Sequence, residues 1–357
     1  MLNSQEGLLK MELLQKNADI LDGLMAKPGS TVPTFPIILG YSINEYHKHT
    51  GIPAPQIMKD GKKIAEAQIY VAHRFNIPFV ITIIDLNVIG EAFGATLTYL
   101  PDVIPVHETP AIEDLEGIDK IEPKDPAKDG RMPQVIKAAK VFGQSFSSEG
   151  ELCFGGCEGP ITAAGSVWGV ENLMRNMIKN PDLVHKLLEA CTDTIIDFCN
   201  AQIEAGVQAI GLAEPTASST CISPQFFKEF AFPYLKKITR KVNSPAFLLH
   251  ICGESQNLVK LVSKIPNILI FSVDQINLRV AKEVIGKKFL ILLGNVSTGI
   301  MRRGTPAEVE AAAKECLKEG APGGKFILST GCDIAPGTPP ENIDMLLRVG
   351  KRFGKYG

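Results

Sequence analysis

Residues 246–253 read Ala-Phe-Leu-Leu-His-Ile-Cys-Gly, an apolar run of strand length that ends in ligand-type side chains and a glycine. Alternate side chains of a strand share one face, so His250 and Cys252 point the same way. The same pattern, apolar run then polar end, recurs along the chain. Strands are expected at Pro33–Leu39, Phe79–Asp85, Leu152–Gly156, Ala209–Ala213, Phe247–Ile251, Leu269–Val273, Phe289–Leu293 and Phe326–Ser329. Amphipathic stretches between them predict helices over 60–75, 134–146, 167–178, 181–205, 224–242, 254–264, 277–286, 305–319 and 339–353. Ser223-Pro224, Thr305-Pro306 and Thr338-Pro339 each set a capping side chain before a proline suited to a first helical turn.

Eight strand–helix units without a linker predict an α/β fold, a single (β/α)8 TIM barrel, over residues 31–357. Residues 1–30 are expected to form an N-terminal helical appendage closing the barrel floor. The Pro-, Asp- and Glu-rich stretch 96–131 is expected to be an insertion after the second strand, a hairpin with a surface loop. An open doubly wound sheet is disfavoured because no GxGxxG follows the first strand.

Composition narrows the function. Hydrophobic residues make up 45% and charged residues 21%, so a large core is available. A net charge of −2 gives no electrostatic case for nucleic acid or an anionic membrane surface. The longest apolar runs are strand-length and end at Asp85 and Asp274, too short to span a bilayer. The N-terminus lacks a cationic, then apolar, leader, and eight cysteines in 357 residues are no disulfide framework; both favour a reducing cytoplasm. Cys191 and Cys199, two helical turns apart, read as core, and Cys153/Cys157 fit no metal-finger spacing.

In a TIM barrel the chemistry sits at the C-terminal strand ends. Those ends carry Asp85, Glu158, Glu214, His250 with Cys252, Asp274, Asn295 and Cys332. One imidazole and two thiols make three soft ligands and leave a fourth position open, the pattern of a catalytic zinc site. Asp85, Glu214, Asp274 and Asn295 are the expected catalytic residues around it, although each suits a helix cap equally well.

These residues resemble a family. Asp85 in Thr-Ile-Ile-Asp, Gly-Glu-Ala-Phe-Gly-Ala at 90–95, Gly-Pro at 159–160, His-Ile-Cys-Gly at 250–253, Gly-Asn-Val at 294–296 and Ser-Thr-Gly-Cys-Asp-Ile-Ala-Pro-Gly-Thr-Pro-Pro-Glu-Asn-Ile at 329–343 look like the uroporphyrinogen decarboxylase superfamily. Within it, the His-x-Cys…Cys signature is similar to the corrinoid-dependent, zinc-containing methyltransferases such as the methylcobamide:coenzyme M enzymes. The resemblance implies zinc on His250, Cys252 and Cys332. It also implies methyl transfer between a corrinoid (cobalamin) and a small methyl donor or acceptor: a thiol such as coenzyme M or, in reverse, a methyl ether, amine or halide. Glu214, Glu229 and His250 also resemble the Glu–Glu–His pattern of aryl ether demethylating enzymes, making Glu214 an alternative ligand and leaving direction open. No cobalamin-binding module is present; Asp182-Leu-Val-His185-Lys has the wrong spacing for DxHxxG, so methylcobalamin must arrive on a separate corrinoid-binding protein. Two other readings remain: a metal-free decarboxylase-like enzyme, whose arginine-rich N-terminal segment is missing from 32–41, and a binding module with a structural metal.

Overall fold

The computed structural model describes residues 18–145 and 151–357. Its strands are β1 (Phe79–Ile81), β2 (Thr96–Thr98), β3 (Val106–Thr109), β4 (Leu152–Glu158), β5 (Ala209–Ala213), β6 (Phe247–Glu254), β7 (Ile268–Gln275), β8 (Ile291–Val296) and β9 (Phe326–Thr330). Seven of them form one parallel sheet in the order β1-β4-β5-β6-β7-β8-β9, every neighbour following in sequence with helices between. That order, curled on itself, is the expected TIM barrel. The β2–β3 antiparallel hairpin is the expected insertion.

The expected first strand, Pro33–Leu39, is corrected. It runs extended beside β9 but makes one isolated bridge, Thr34 to Leu328. Phe35 N donates to Leu328 O and Leu328 N to Pro33 O, after which Ile37 N turns to the Thr330 hydroxyl. Pro33 and Pro36 have no N–H to give a regular ladder. Toward β1, closure is by side chains: the Phe35 and Phe79 rings meet edge-on at 5.0 Å.

The helices start where their side chains can satisfy free N–H groups. Asp60 caps Gly61–Phe75, and Asn277 caps Leu278–Ile285. Thr305 and Glu308 form a reciprocal capping box on Pro306–Gly320. Ser223 caps the expected 224–242 helix, whose second turn, Phe227–Ala231, widens to a π-helix. The Thr338 cap is corrected: its hydroxyl goes back to Ala335 O and the helix begins at Pro340. Helices Gly40–Thr50, Ala54–Met58, Val88–Phe93 and Pro160–Trp168 were not expected. Of the N-terminal appendage, Ala18–Leu24 is helical and residues 1–17 lie outside the described residues.

The main core fills the space between sheet and helices. A second, small cluster of Ile81, Ile83, Leu152, Phe154 and Ala209 lies inside the barrel. A cavity of about 340 Å³ continues from that cluster, walled by Ile20 and Leu24 at one end and by His250, Cys252 and Cys332 at the other.

Phe35 carries much of the closure between the first segment and β1. Phe35→Ala is expected to cost about 3 kcal/mol, the low end for such truncations because the ring borders a cavity, as read from the denaturant midpoint.

Candidate metal centre

His250 enters from β6 directly opposite Ser272 of β7. Its Nδ1 lies 2.9 Å from the Ser272 hydroxyl, which fixes the ring. Its Nε2 is buried and has no hydrogen-bond partner among the described residues. A buried ring nitrogen left unpaired is costly, and a metal ligand is one way to satisfy it.

Past His250 the β6–β7 register slips between Ile251 and Glu254, and Gly253 takes a left-handed φ of 70°. A bulge of this kind re-aims the side chains beside it, here Cys252. Cys332 comes from the turn after β9. The ligand atoms of His250, Cys252 and Cys332 lie within 4.8 Å of one another, with His250 buried and both thiols half-buried. No other His, Cys, Asp or Glu joins this group among the described residues. The Cys332 thiol beside it holds Cys252 below the ordinary thiol value. The same pairing, with burial, pushes Cys332 well up. The donor set fits a soft or borderline divalent ion with one open position.

Asp274 sits between the two cysteine turns. Its Oδ2 accepts from Gly253 N at 3.0 Å, and a Cβ on Gly331 would come within 2.4 Å of its Oδ1. Gly331 is therefore required by a close approach. Asn295 holds Asp274 in turn, donating from Nδ2 to the carbonyls of Asp274 at 2.7 Å and Ile276 at 3.0 Å. Neither residue offers a ligand atom to the His250, Cys252 and Cys332 group.

The remaining strand-end acids are engaged elsewhere. Glu214 is not brought into the group: its oxygens accept from Ile161 N at 2.7 Å and Thr162 N at 2.9 Å, capping helix Pro160–Trp168. Glu158 caps helix Val88–Phe93 the same way, through Ile89 N at 2.6 Å. Glu229 is exposed on the π-helical turn. Asp85 lines the cavity, but Arg131 grips its carboxylate at 2.8 and 3.0 Å while also reaching Glu91. Asp333, next to Cys332, accepts from Leu39 N at 2.7 Å and Gly40 N at 3.0 Å, capping helix Gly40–Thr50. Sequence reasoning missed Ser272, Arg131 and Asp333. Only Asp333 had a local signal, its place beside Cys332.

Fold and site together define a parallel barrel with a His/Cys/Cys group at its C-terminal mouth. The chain belongs to the uroporphyrinogen decarboxylase family, whose model matches residues 23–353. It is 31% identical to the methylated-thiol–coenzyme M methyltransferase of Methanosarcina mazei over 75% of this chain and 70% of that protein. It is also 31% identical to the methylcobamide:CoM methyltransferase MtaA of Methanosarcina barkeri, covering 75% and 78%. A solved methyltransferase structure from Methanosarcina mazei superposes with a TM-score of 0.83 at 29% identity, covering 95% of this chain and 98% of that one. Among the described residues no helix is long and apolar enough to cross a membrane.

Burial pushes Glu158 and Glu214 up to about 7 from the ordinary 4.5, against the pull of the helix N–H groups. The folded state then keeps protons that the unfolded state releases between those values. Their contribution to stability is full at low pH, falls as pH rises through 4.5 to about 7, and stays lost above. Replacing Glu158 by Gln is expected to flatten that part of the stability–pH curve, measured by denaturant melts at pH steps; an unchanged slope refutes it.

Proposed function

We propose that this chain is a zinc-dependent methyltransferase that moves a methyl group between a corrinoid and a small sulfur substrate. The observation that carries the proposal is the convergence of His250, Cys252 and Cys332 at one end of a cavity, with the His250 Nε2 left unpaired. The similarity to methyltransferases of the methylated-thiol and methylcobamide type supports it.

His250 Nε2 and the two sulfurs would hold the zinc; with one neutral imidazole and two thiolates as ligands it would be formally near neutral and would supply the means to lower a substrate thiol's pKa while leaving its sulfur electron-rich. Ser272 orients the imidazole, as a ligand's outer hydrogen bond does in metal sites generally. Asp274 ties the Cys252 turn through Gly253 and abuts Gly331 before Cys332, so it sets the sulfur separation. The cavity wall shields the reacting sulfur from water. Asp85 and Arg131 form a closed ion pair at the rim and would shape the entrance rather than move a proton. The corrinoid would come on a separate carrier protein docking over the barrel mouth, in a reducing, cytoplasmic setting. A metal-free decarboxylation of an anionic porphyrinogen has no arginine in 32–41 to receive its carboxylates.

Cys332→Ala and Cys252→Ala are expected to lose bound zinc by at least about tenfold, and methyl transfer with it, while circular dichroism stays that of the parent. Full methylcobalamin–thiol turnover by a zinc-free Cys332→Ala protein sinks the proposal. Asp274→Ala is expected to weaken zinc by roughly 10–100-fold, read by competition with a chelating dye.

A further inference from the structure

We infer that the small-molecule substrate is an uncharged thiol, or its methyl thioether, carrying an apolar tail that lies along the barrel lumen, and not an anionic thiol. The inference rests on the proposal that substrate sulfur meets the metal at the His250, Cys252 and Cys332 group. It adds what the rest of the substrate must be.

The cavity of about 340 Å³ runs from that group down the barrel axis to Ile20 and Leu24, which close the floor. Its walls are apolar, with Phe79, Phe154, Leu248 and Ile270 facing in. Apart from the three ligands, the ionisable side chains on the wall are Asp85 and Asp333, both acids. Among the described residues no lysine or arginine lines it. The cation at the rim, Arg131, is buried and already held by two carboxylates, Asp85 at 2.8 Å and Glu91 at 2.5 Å. A sulfonate or carboxylate carried in on the substrate would be stripped of water beside acids, with no donor of opposite charge to meet it. An apolar tail meets the reverse situation: each methylene buried is worth roughly a factor of four in affinity. A void of about 150 Å³ lined by aliphatic and aromatic side chains already holds a benzene ring, so this lumen has room for a benzyl- or hexyl-sized group.

The reaction balances without a further reagent. The thiol loses its proton to solvent, its sulfur forms the S–CH3 bond, and the carbon–cobalt bond of a methyl-Co(III) corrinoid breaks with both electrons left on cobalt as Co(I). The reverse direction takes the methyl from the thioether to Co(I) and returns the thiolate.

The test uses the full chain loaded with cobalt(II) in place of zinc, where a bound thiolate gives a sulfur-to-metal absorption band. Benzyl mercaptan is expected to raise that band at a concentration at least about tenfold lower than 2-mercaptoethanesulfonate. Filling the lumen by Leu248→Trp, or by the milder Ile270→Phe if the first variant does not fold, is expected to erase the difference while cobalt stoichiometry stays at the parent value. Equal or tighter binding of 2-mercaptoethanesulfonate overturns the inference and leaves the metal–thiol chemistry standing. No band with either thiol overturns the metal–thiol proposal itself, and this inference falls with it. A preference for benzyl mercaptan that survives both lumen variants places the tail elsewhere and also overturns it.

Discussion

The Asp333 carboxylate joins the two ends of the barrel. It accepts from Leu39 N and Gly40 N, so the last strand's turn is pinned to the first segment, the one place where the sheet lacks a regular ladder. Cys332 precedes it by one residue, and its distance from the β6 ligands depends on how the barrel closes. A helix N-terminus offers several unpaired N–H groups, and a carboxylate there satisfies two at once. Closure, the start of helix Gly40–Thr50 and the position of Cys332 are thus one constraint.

The same device recurs round the mouth. Glu158 and Glu214 each leave the end of one strand and cap a helix that follows the preceding one. This lateral stitching fixes the strand-to-helix turns near the centre and consumes the acids in doing so. Burial that leaves these carboxyls near 7 shows that the stitching is held against a desolvation cost. Beside the two sulfurs, the imidazole Nε2 of His250 is left buried and without a hydrogen-bond partner among the described residues. The carboxyls of Glu158 and Glu214 are spent on helix N-termini and take no place in the His250, Cys252 and Cys332 group.

Below the group lies the lumen. Barrel interiors of this kind are usually filled by side-chain layers. Here the inner cluster stops short, and Ile20 and Leu24 cover the floor instead of filling it. The space so left is apolar with acids at its rim, and the neutralised Arg131 gives it no positive end.

The sequence by itself pointed to the barrel, because apolar runs of strand length alternate with amphipathic stretches and no GxGxxG follows the first of them to favour an open doubly wound sheet. It also singled out His250, Cys252 and Cys332, whose ligand atoms the fold brings within 4.8 Å of one another, because His250 and Cys252 lie two apart on a strand and Cys332 ends another. It could not separate caps from catalysts. Glu214 and Asp274 both end strands, and their difference lies in which backbone N–H each meets across the fold, which no local pattern records. Pro33–Leu39 read as a strand from its apolar content, but Pro33 and Pro36 withhold N–H groups, and only the register against Leu328 shows what that removes. Arg131 illustrates the rest: 46 residues from Asp85 in the chain, it reaches that carboxylate only once the insertion has folded back over the mouth. Tertiary structure decided these points because hydrogen-bond partners are chosen by distance in space, whereas periodicity reports only which face a residue occupies.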